Sequence, residues 1–371
     1  MGNEFSGMPI SQSTENKPQD SRKPGVQLRR RVFLMVLAGI LLALMIILAL
    51  LPRLLFPPYE PLPTTGKYSV GTLVTHWADP ARAETYGKAG GPRTLAVEFW
   101  YPQEGKGRYP LVLFSHGAFG NRRSNESLFR ELASHGYVVC SLDHTYQCLS
   151  TNLQGGKRIW MDAGYAGEII REDAKKDPAQ SLEFYRKWMG IRTGDIQFVL
   201  DTLLAQVSEN PAHPVFGLVD SHAVALIGHS LGGSAVLGVG RARGEVIGVI
   251  ALEAPFLCDI MAVENGNFVF DPREYPVPLL CVYSDASWPH LKEWPQYAQN
   301  ARFLEKTGGN MNHLYFEGVG HLALTDLALA SPFLTRIMDG PGHAVGAAEG
   351  LTRLNQVCLS FLNRYGRVEA R

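Results

Sequence analysis

No charge of either sign dominates this 371-residue sequence. Thirty-five basic side chains balance thirty-five acidic ones, so no net field draws the chain toward nucleic acid. Cysteine is scarce. Cys140, Cys148, Cys258, Cys281 and Cys358 are too few for a disulfide scaffold, and one or two bridges would leave a thiol over. No CxxC, HExxH or HxxH spacing occurs among them or among the eleven histidines, which excludes the usual zinc signatures. Neither a metal nor a cofactor is expected. Internal repeats are also lacking, so the chain does not read as a solenoid or an array.

What is present is unevenly spread. Residues 32–51 read VFLMVLAGILLALMIILALL, twenty positions without a charge. At a rise of about 1.5 Å per residue such a run crosses a hydrocarbon core of about 30 Å. It is longer than the apolar part of a signal peptide, usually about 7–15 residues, and no small-x-small cleavage site follows. The expectation is one transmembrane signal-anchor helix, with a cleaved signal peptide as the alternative. Arg29, Arg30 and Arg31 flank it, with Lys17, Arg22 and Lys23 further back, which predicts a cytoplasmic N-terminus and an extracytoplasmic remainder at the plasma membrane. Residues 1–31 read as a polar cytoplasmic tail; its Met1-Gly2 start formally matches a myristoylation pattern, a lipid that an anchor helix would make redundant. Residues 52–66 (PRLLFPPYEPLPTTG) read as a Pro-rich stalk.

From 67 to 371 the pattern is that of one globular domain in which strands and helices alternate. Strand-like runs are Tyr68–Trp77, Arg93–Tyr101, Tyr109–Ser115, Tyr137–Leu142, Ala223–Ile227, Val246–Leu252, Pro278–Tyr283 and His313–Glu317. Helical spacing marks Asn125–His135, 190–207, Ser234–Arg243 and Gly350–Tyr365. This alternation predicts an α/β fold with a mainly parallel sheet covered on both faces. Two long connections stand out, an insertion at 145–189 and the stretch Pro255–Tyr275, and both are expected to cover the carboxyl edge of the sheet.

The chemistry-bearing stretch is Gly228-His229-Ser230-Leu231-Gly232, a G-x-S-x-G pattern after a strand and before a helix. Its glycines permit a tight turn that lifts the Ser230 hydroxyl above the sheet edge. The Leu231 amide at the helix start can then face a developing oxyanion. A serine at neutral pH needs a base. His321, in Gly318-Val319-Gly320-His321 after the last strand, is the candidate; His313 starts that strand at the opposite edge, and His343 lies in a Gly-Pro segment. Two carboxylates end strands at the same edge, Glu253 and Asp285, and either could hold the imidazole. The loop Ser115-His116-Gly117-Ala118-Phe119-Gly120 offers the Ala118 amide as second oxyanion donor, with Phe119 as an acyl-pocket wall.

FSHGAFGNRRSNESLFRELASHGYVVCSLDH (114–144), IRTGDIQFVLD, GHSLGG, ALEAPF and GVGH together resemble the platelet-activating-factor acetylhydrolase type of α/β-hydrolase. They are also similar to its dienelactone-hydrolase-like bacterial relatives, which share a VEFWYP-like segment. The resemblance covers roughly residues 68–365, without the anchor or the insertion. It implies an α/β-hydrolase fold and a cofactor-free serine esterase, with Ser230 as nucleophile, His321 as base, and Ala118 and Leu231 as oxyanion donors. Phospholipids with short or oxidised acyl chains are the substrate class it implies. In that family the acid is an aspartate after the strand following the nucleophile helix; the matching position here is Glu253, a departure in length, with Asp285 as the alternative. Two other readings are an esterase or amidase for polyesters or xenobiotics, and an inactive surface binding domain on the same fold.

Overall fold

The computed structural model describes residues 24–365 except 88, 89, 307–309, 341 and 343. Most of the polar tail, with its Gly2 pattern, and His343 lie outside the described residues. The chain divides into two units, Met1–Pro57 and Pro58–Arg371.

The first unit is helix α1, Pro24–Leu55, in which an 18-residue window within Leu28–Leu55 has a mean hydropathy of 3.2. Its large apolar side chains from Leu28 to Leu54 are all exposed. The helix runs one turn past the boundary expected at residue 51. Pro52 removes a single intrahelical donor, and Phe56 N still donates to Pro52 O at 2.8 Å, so the apolar turn that follows continues the coil.

In the second unit eight strands form one sheet: β1 (Val70–Ala83), β2 (Pro92–Pro102), β3 (Tyr109–Ser115), β4 (Val138–Leu142), β5 (Val219–His229), β6 (Val246–Leu252), β7 (Leu279–Ser284) and β8 (Met311–Phe316). Their order is β1-β2-β4-β3-β5-β6-β7-β8. β1 pairs antiparallel with β2, and β2 antiparallel with β4; every later pairing is parallel. The expected mainly parallel sheet is therefore present, with an antiparallel hairpin at one edge. Helices α2 (Glu126–Ser134), α3 (Ala163–Arg171), α4 (Pro178–Glu209), α5 (Leu231–Ala242) and α6 (Ala347–Tyr365) supply most of the remaining framework.

The period-2 geometry of a strand divides the core in two. Leu111, Leu113, Val224, Leu226, Val249 and Ala251 pack on one face with α4 and α5 residues such as Leu200, Leu203 and Val236. Val112, Phe114, Ala225, Ile227, Ile250 and Leu252 pack on the other with Leu128 and Leu132 of α2 and Leu354 and Phe361 of α6.

The insertion is more ordered than its sequence suggests. Ser150–Asn152 pairs with Arg158–Trp160 as a short hairpin, α3 follows, and the last twelve residues of the insertion belong to α4. The signal for that early start is Asp177-Pro178: the Asp177 side chain accepts from Gln180 N at 2.9 Å, and Pro178 begins the helix where no donor is needed. Pro255–Tyr275 likewise carries a hairpin, Ile260–Glu264 with Asn267–Phe270.

Parallel strands bring their carboxyl ends to one edge, and there the sheet buries three histidines: His116 after β3, His144 after β4 and His229 at the end of β5. Burial disfavours their charged forms, with Arg192 adding to the effect at His116 and His144, and His321 at His229. His144 is pushed down to about 4, and the other two lie well below the ordinary histidine value. Each stays neutral in the folded chain and binds a proton when unfolded below about pH 6.5. Their contribution is therefore complete above that pH and is lost on acidification toward about 4. Asp326, raised to about 6 by burial, acts in the opposite sense over nearly the same window, as do the raised Asp143 and Asp259. His144 alone spans a range as wide as that of Asp326, and His116 and His229 shift in the same direction as His144. The midpoint of urea unfolding should therefore fall steadily from pH 7 to pH 4.5; a flat or rising profile would contradict the neutral assignments.

Candidate active site

Ser230 sits between the last residue of β5 and the first of α5, at φ 54° and ψ −124°. A non-glycine residue pays about 1–3 kcal/mol for such a backbone, so the surroundings must hold it there. They do so through close approach. A Cβ on Gly228 would overlap Gly232 O, and one on Gly232 would overlap the carbonyls of Ser115 and His116. The Ser230 amide donates to Leu252 O at 2.8 Å, tying the turn to the end of β6. Ser230 itself is half-buried.

The β3 loop lies directly against this turn. A Cβ on Gly117 would stand 3.3 Å from Ser230 Cβ and 3.0 Å from His229 Nδ1. Ala118 follows, half-buried, and its amide meets no acceptor among the described residues. Leu231, as the first residue of α5, has an amide with no intrahelical acceptor. Both expected oxyanion donors thus flank the serine.

His321 follows β8 through Gly318 (φ 76°) and Gly320. Asp339 fixes the turn, accepting from Leu322 N at 2.8 and 3.0 Å and from Ala323 N at 3.0 Å; a side chain on Gly320 would overlap that carboxylate. The His321 ring lies 4.6 Å from the His229 ring, and His229 Nε2 donates to His321 O at 3.1 Å. The late histidine is therefore brought beside the serine turn. His313 stacks on Tyr283 (centroids 5.9 Å apart) on strands β8 and β7.

The two carboxylates behave differently. Glu253 follows β6 at φ 52°, is buried, and accepts from Ser284 N through Oε2 at 2.5 Å. Its Oε1 is buried with no hydrogen-bond partner. Asp285 accepts from Tyr315 Oη at 2.7 Å and from Gly318 N at 3.1 Å. That bond to Asp285 is the main reason the Tyr315 hydroxyl is pushed up to about 12. Among the described residues the His321 ring makes no hydrogen bond to Ser230, Glu253 or Asp285. The members converge on one edge without closing a bonded chain.

A chain that does close lies behind the β3 loop, and the sequence reading missed it. Ser115 Oγ donates to His144 Nε2 at 2.8 Å, and His144 Nδ1 donates to Asp195 at 2.9 Å. These are Ser-His-Asp contacts, yet all three residues have zero exposure. Asp195 is further held by Arg93 (2.7 Å through both Nε and Nη2) and Arg82 (3.0 Å); Arg93 and the His144 bond keep its carboxyl far below the usual range against the effect of burial. No substrate reaches this set, and its geometry is that of a structural network. Its sequence signal is Arg192 and Asp195, three residues apart on the buried face of α4 among Trp188, Met189, Ile191, Ile196 and Val199.

One group could be read as a metal site: His116, Asp143 and Cys148 offer ligand atoms within 4.8 Å of one another. The donors are already committed. His116 Nδ1 donates to Gly117 O at 2.7 Å, its Nε2 accepts from His144 N at 3.2 Å, and Asp143 pairs with Arg122 at 2.5 Å. The chemistry of this set does not suit a cation.

Comparison with known proteins agrees with this picture. The family described as platelet-activating factor acetylhydrolase, isoform II, matches residues 91–369. A platelet-activating factor acetylhydrolase of Cavia porcellus is 24% identical over 277 residues, covering 70% of this chain and 58% of that relative. The Bos taurus protein of the same name is 24% identical over 140 residues, 35% of this chain and 31% of that one. The chain thus matches under two thirds of the length of these curated relatives. A ferulic acid esterase from Streptomyces cinnamoneus superposes with a TM-score of 0.62 at 21% identity, over 84% of this chain and 95% of that one, a likeness of fold.

The unpartnered Glu253 oxygen separates the two carboxylates as partners for His321. Glu253→Gln should lower kcat on p-nitrophenyl acetate by about 10⁴, the order seen when a triad carboxylate loses its charge. Asp285→Asn should lower it by less than tenfold. The reverse ranking would assign the acid to Asp285.

Proposed function

The chain belongs to the platelet-activating factor acetylhydrolase, isoform II, family, and from that premise we propose that it is a serine hydrolase of carboxylic esters working through an acyl-enzyme on Ser230. The observation that carries the proposal is the strained Ser230 backbone between β5 and α5, facing Gly117 and flanked by His321. In this reading His321 accepts the hydroxyl proton as Ser230 Oγ bonds to the acyl carbon. The carbonyl electron pair moves to oxygen, where the Ala118 and Leu231 amides hold it. When the pair returns, the bond to the leaving alcohol breaks and His321 hands that alcohol its proton. Water repeats the sequence on the acyl group and frees the acid. Glu253, through Oε1, orients the imidazole and offsets its charge.

The rim supports an apolar acyl group. Phe119, Leu149 and Trp160 are large exposed apolar side chains. Leu149 N donates to Gly120 O at 3.0 Å and Met161 N to Leu149 O at 3.2 Å, which fixes this part of the insertion beside the β3 loop. Phospholipids with short or oxidised acyl chains, the class that the sequence resemblance implies, suit such a rim, as does the acetyl ester that the relatives' name specifies. The buried Ser115 chain supplies an internal control. Ser230→Ala should abolish ester turnover and fluorophosphonate labelling, whereas Ser115→Ala should keep most of both. Labelling that survives at Ser230→Ala would refute the nucleophile, and a flat rate across an acyl chain-length series would refute an apolar acyl site.

Helix α1 supports a single-pass anchor. Its uncharged run, residues 32–51, supplies the roughly 20 residues needed to span a bilayer, and the arginines at 29–31 favour a cytoplasmic N-terminus with the catalytic unit outside. Of the stretch 52–66 expected as a stalk, residues 52–55 belong to α1, Leu62 packs on the core, and Thr65 N and Gly66 N donate to Glu131 (2.8 Å) and Ser134 Oγ (3.1 Å) of α2, so it is not a free stalk. The full-length chain should stay in the membrane pellet after alkaline carbonate washing and keep its N-terminal sequence. Release as a shortened protein would identify the segment as a cleaved signal peptide.

A further inference from the structure

Arg192 on α4 has zero exposure, and no carboxylate touches it. Its guanidinium meets neutral oxygens instead. Nε donates to Gln147 Oε1 at 2.8 Å and Nη1 to His116 O at 2.6 Å. Nη2 has longer contacts at 3.3–3.4 Å with Gly117 O, Gln147 O and Tyr165 Oη. The nearby Asp195 is engaged by Arg93, Arg82 and His144. Burying a cation among carbonyls is costly, so fold stability alone gives no reason for it.

What Arg192 grips is informative. His116 O takes the shortest bond. Gly117 O takes the long one and is held more firmly by the His116 ring, whose Nδ1 donates at 2.7 Å. With His116 Nε2 accepting from His144 N, that ring is the neutral Nδ1–H tautomer, as its depressed pKa requires. Two consecutive carbonyls of the β3 loop therefore turn toward α4. A trans peptide is planar, and its N–H points away from its C=O. Fixing the carbonyls of His116 and Gly117 consequently fixes the amides of Gly117 and Ala118 on the far side. Gly117 presents its bare face to the serine turn, where an added Cβ would stand 3.3 Å from Ser230 Cβ.

We propose that Arg192, together with His116, is a positioning residue that aims the Ala118 amide at the oxyanion of the acyl-transfer step. The Ala118 amide shares its peptide with Gly117 O, so the His116 Nδ1 bond and the longer Arg192 contact orient it, while the short Arg192 bond to His116 O fixes the peptide before it. The inference rests on the acyl-enzyme reading of Ser230.

The test uses the full chain in detergent, with p-nitrophenyl butyrate as substrate and an alkyl trifluoromethyl ketone as probe. Such a ketone adds Ser230 Oγ to its carbonyl and yields an anionic hemiketal, so its affinity reports the oxyanion site. Arg192→Gln should lower kcat by about 10²-fold, the order for one lost oxyanion donor, with KM changed less than about threefold. Ketone affinity should fall in parallel with kcat. Arg192→Lys should recover part of both, because a point charge reaches one carbonyl but not two. A folded Arg192→Gln with unchanged ketone affinity overturns the proposal, whatever happens to kcat. If Arg192→Gln does not fold, the decision passes to His116. His116→Asn carries an amide N–H near the Nδ1 position and should keep ketone affinity, while His116→Leu should lose it; equal affinities overturn the proposal. Turnover that survives Ser230→Ala would strike the underlying reading. An inactive Ser230→Ala beside a fully active Arg192→Gln strikes only the positioning role.

Discussion

Gly232 passes so close to the Ser115 and His116 carbonyls that no side chain could stand on its Cα. This approach joins the start of α5 to the end of β3, and the rest of the site follows from it. It seats the β3 loop on the serine turn, so that the half-buried Ala118 and Leu231 flank Ser230. Gly228 completes the close fit from within the turn, and the amide of Ser230 reaches the end of β6. Three strands are thereby locked at their carboxyl ends, which is what keeps Ser230 at a backbone geometry it would not choose alone.

Behind that edge the protein spends stability on ions. Arg93, Asp195 and Arg192 are all fully or nearly fully buried, and each buried ion carries a desolvation cost of several kcal/mol before its partners offset it. The reward is geometric. One helix, α4, carries Arg192 and Asp195 three residues apart, and through them it touches the ends of both β3 and β4. Two Ser-His-carboxylate sets result within one domain. The bonded one, Ser115-His144-Asp195, is sealed; the other, with Ser230 and His321 half-buried and Glu253 buried, is not bonded among the described residues.

Much of this was legible in the residues. Apolar runs bounded by turn residues mark the buried strands because a parallel strand covered on both faces needs no polar alternation. β3 and β6 have the limits that their runs indicate. The G-x-S-x-G turn and the late His321 are local signals, and both fall where expected. The early start of α4 was less visible, since Asp177-Pro178 sits amid charges that read as a loop. The Arg192 clamp was hidden for a deeper reason. It joins residues 116, 147, 165 and 192, and no local period records contacts between segments so far apart. The acid stayed ambiguous because Glu253 and Asp285 both end strands at the same edge. Their environments differ only in three dimensions, where Asp285 is engaged by Tyr315 and Gly318.

The orphaned Oε1 of Glu253 has a bearing on how this chain can change. A buried acceptor without a donor is a standing debit in the folded state, of about 1–3 kcal/mol. Replacing Glu253 with an apolar side chain of similar volume would remove that debit but orphan the Ser284 amide, which now donates to Oε2, so the exchange gains little stability. Screens of this chain for heat resistance alone therefore have no reason to discard the carboxylate, and its persistence in them would not by itself report a role in turnover.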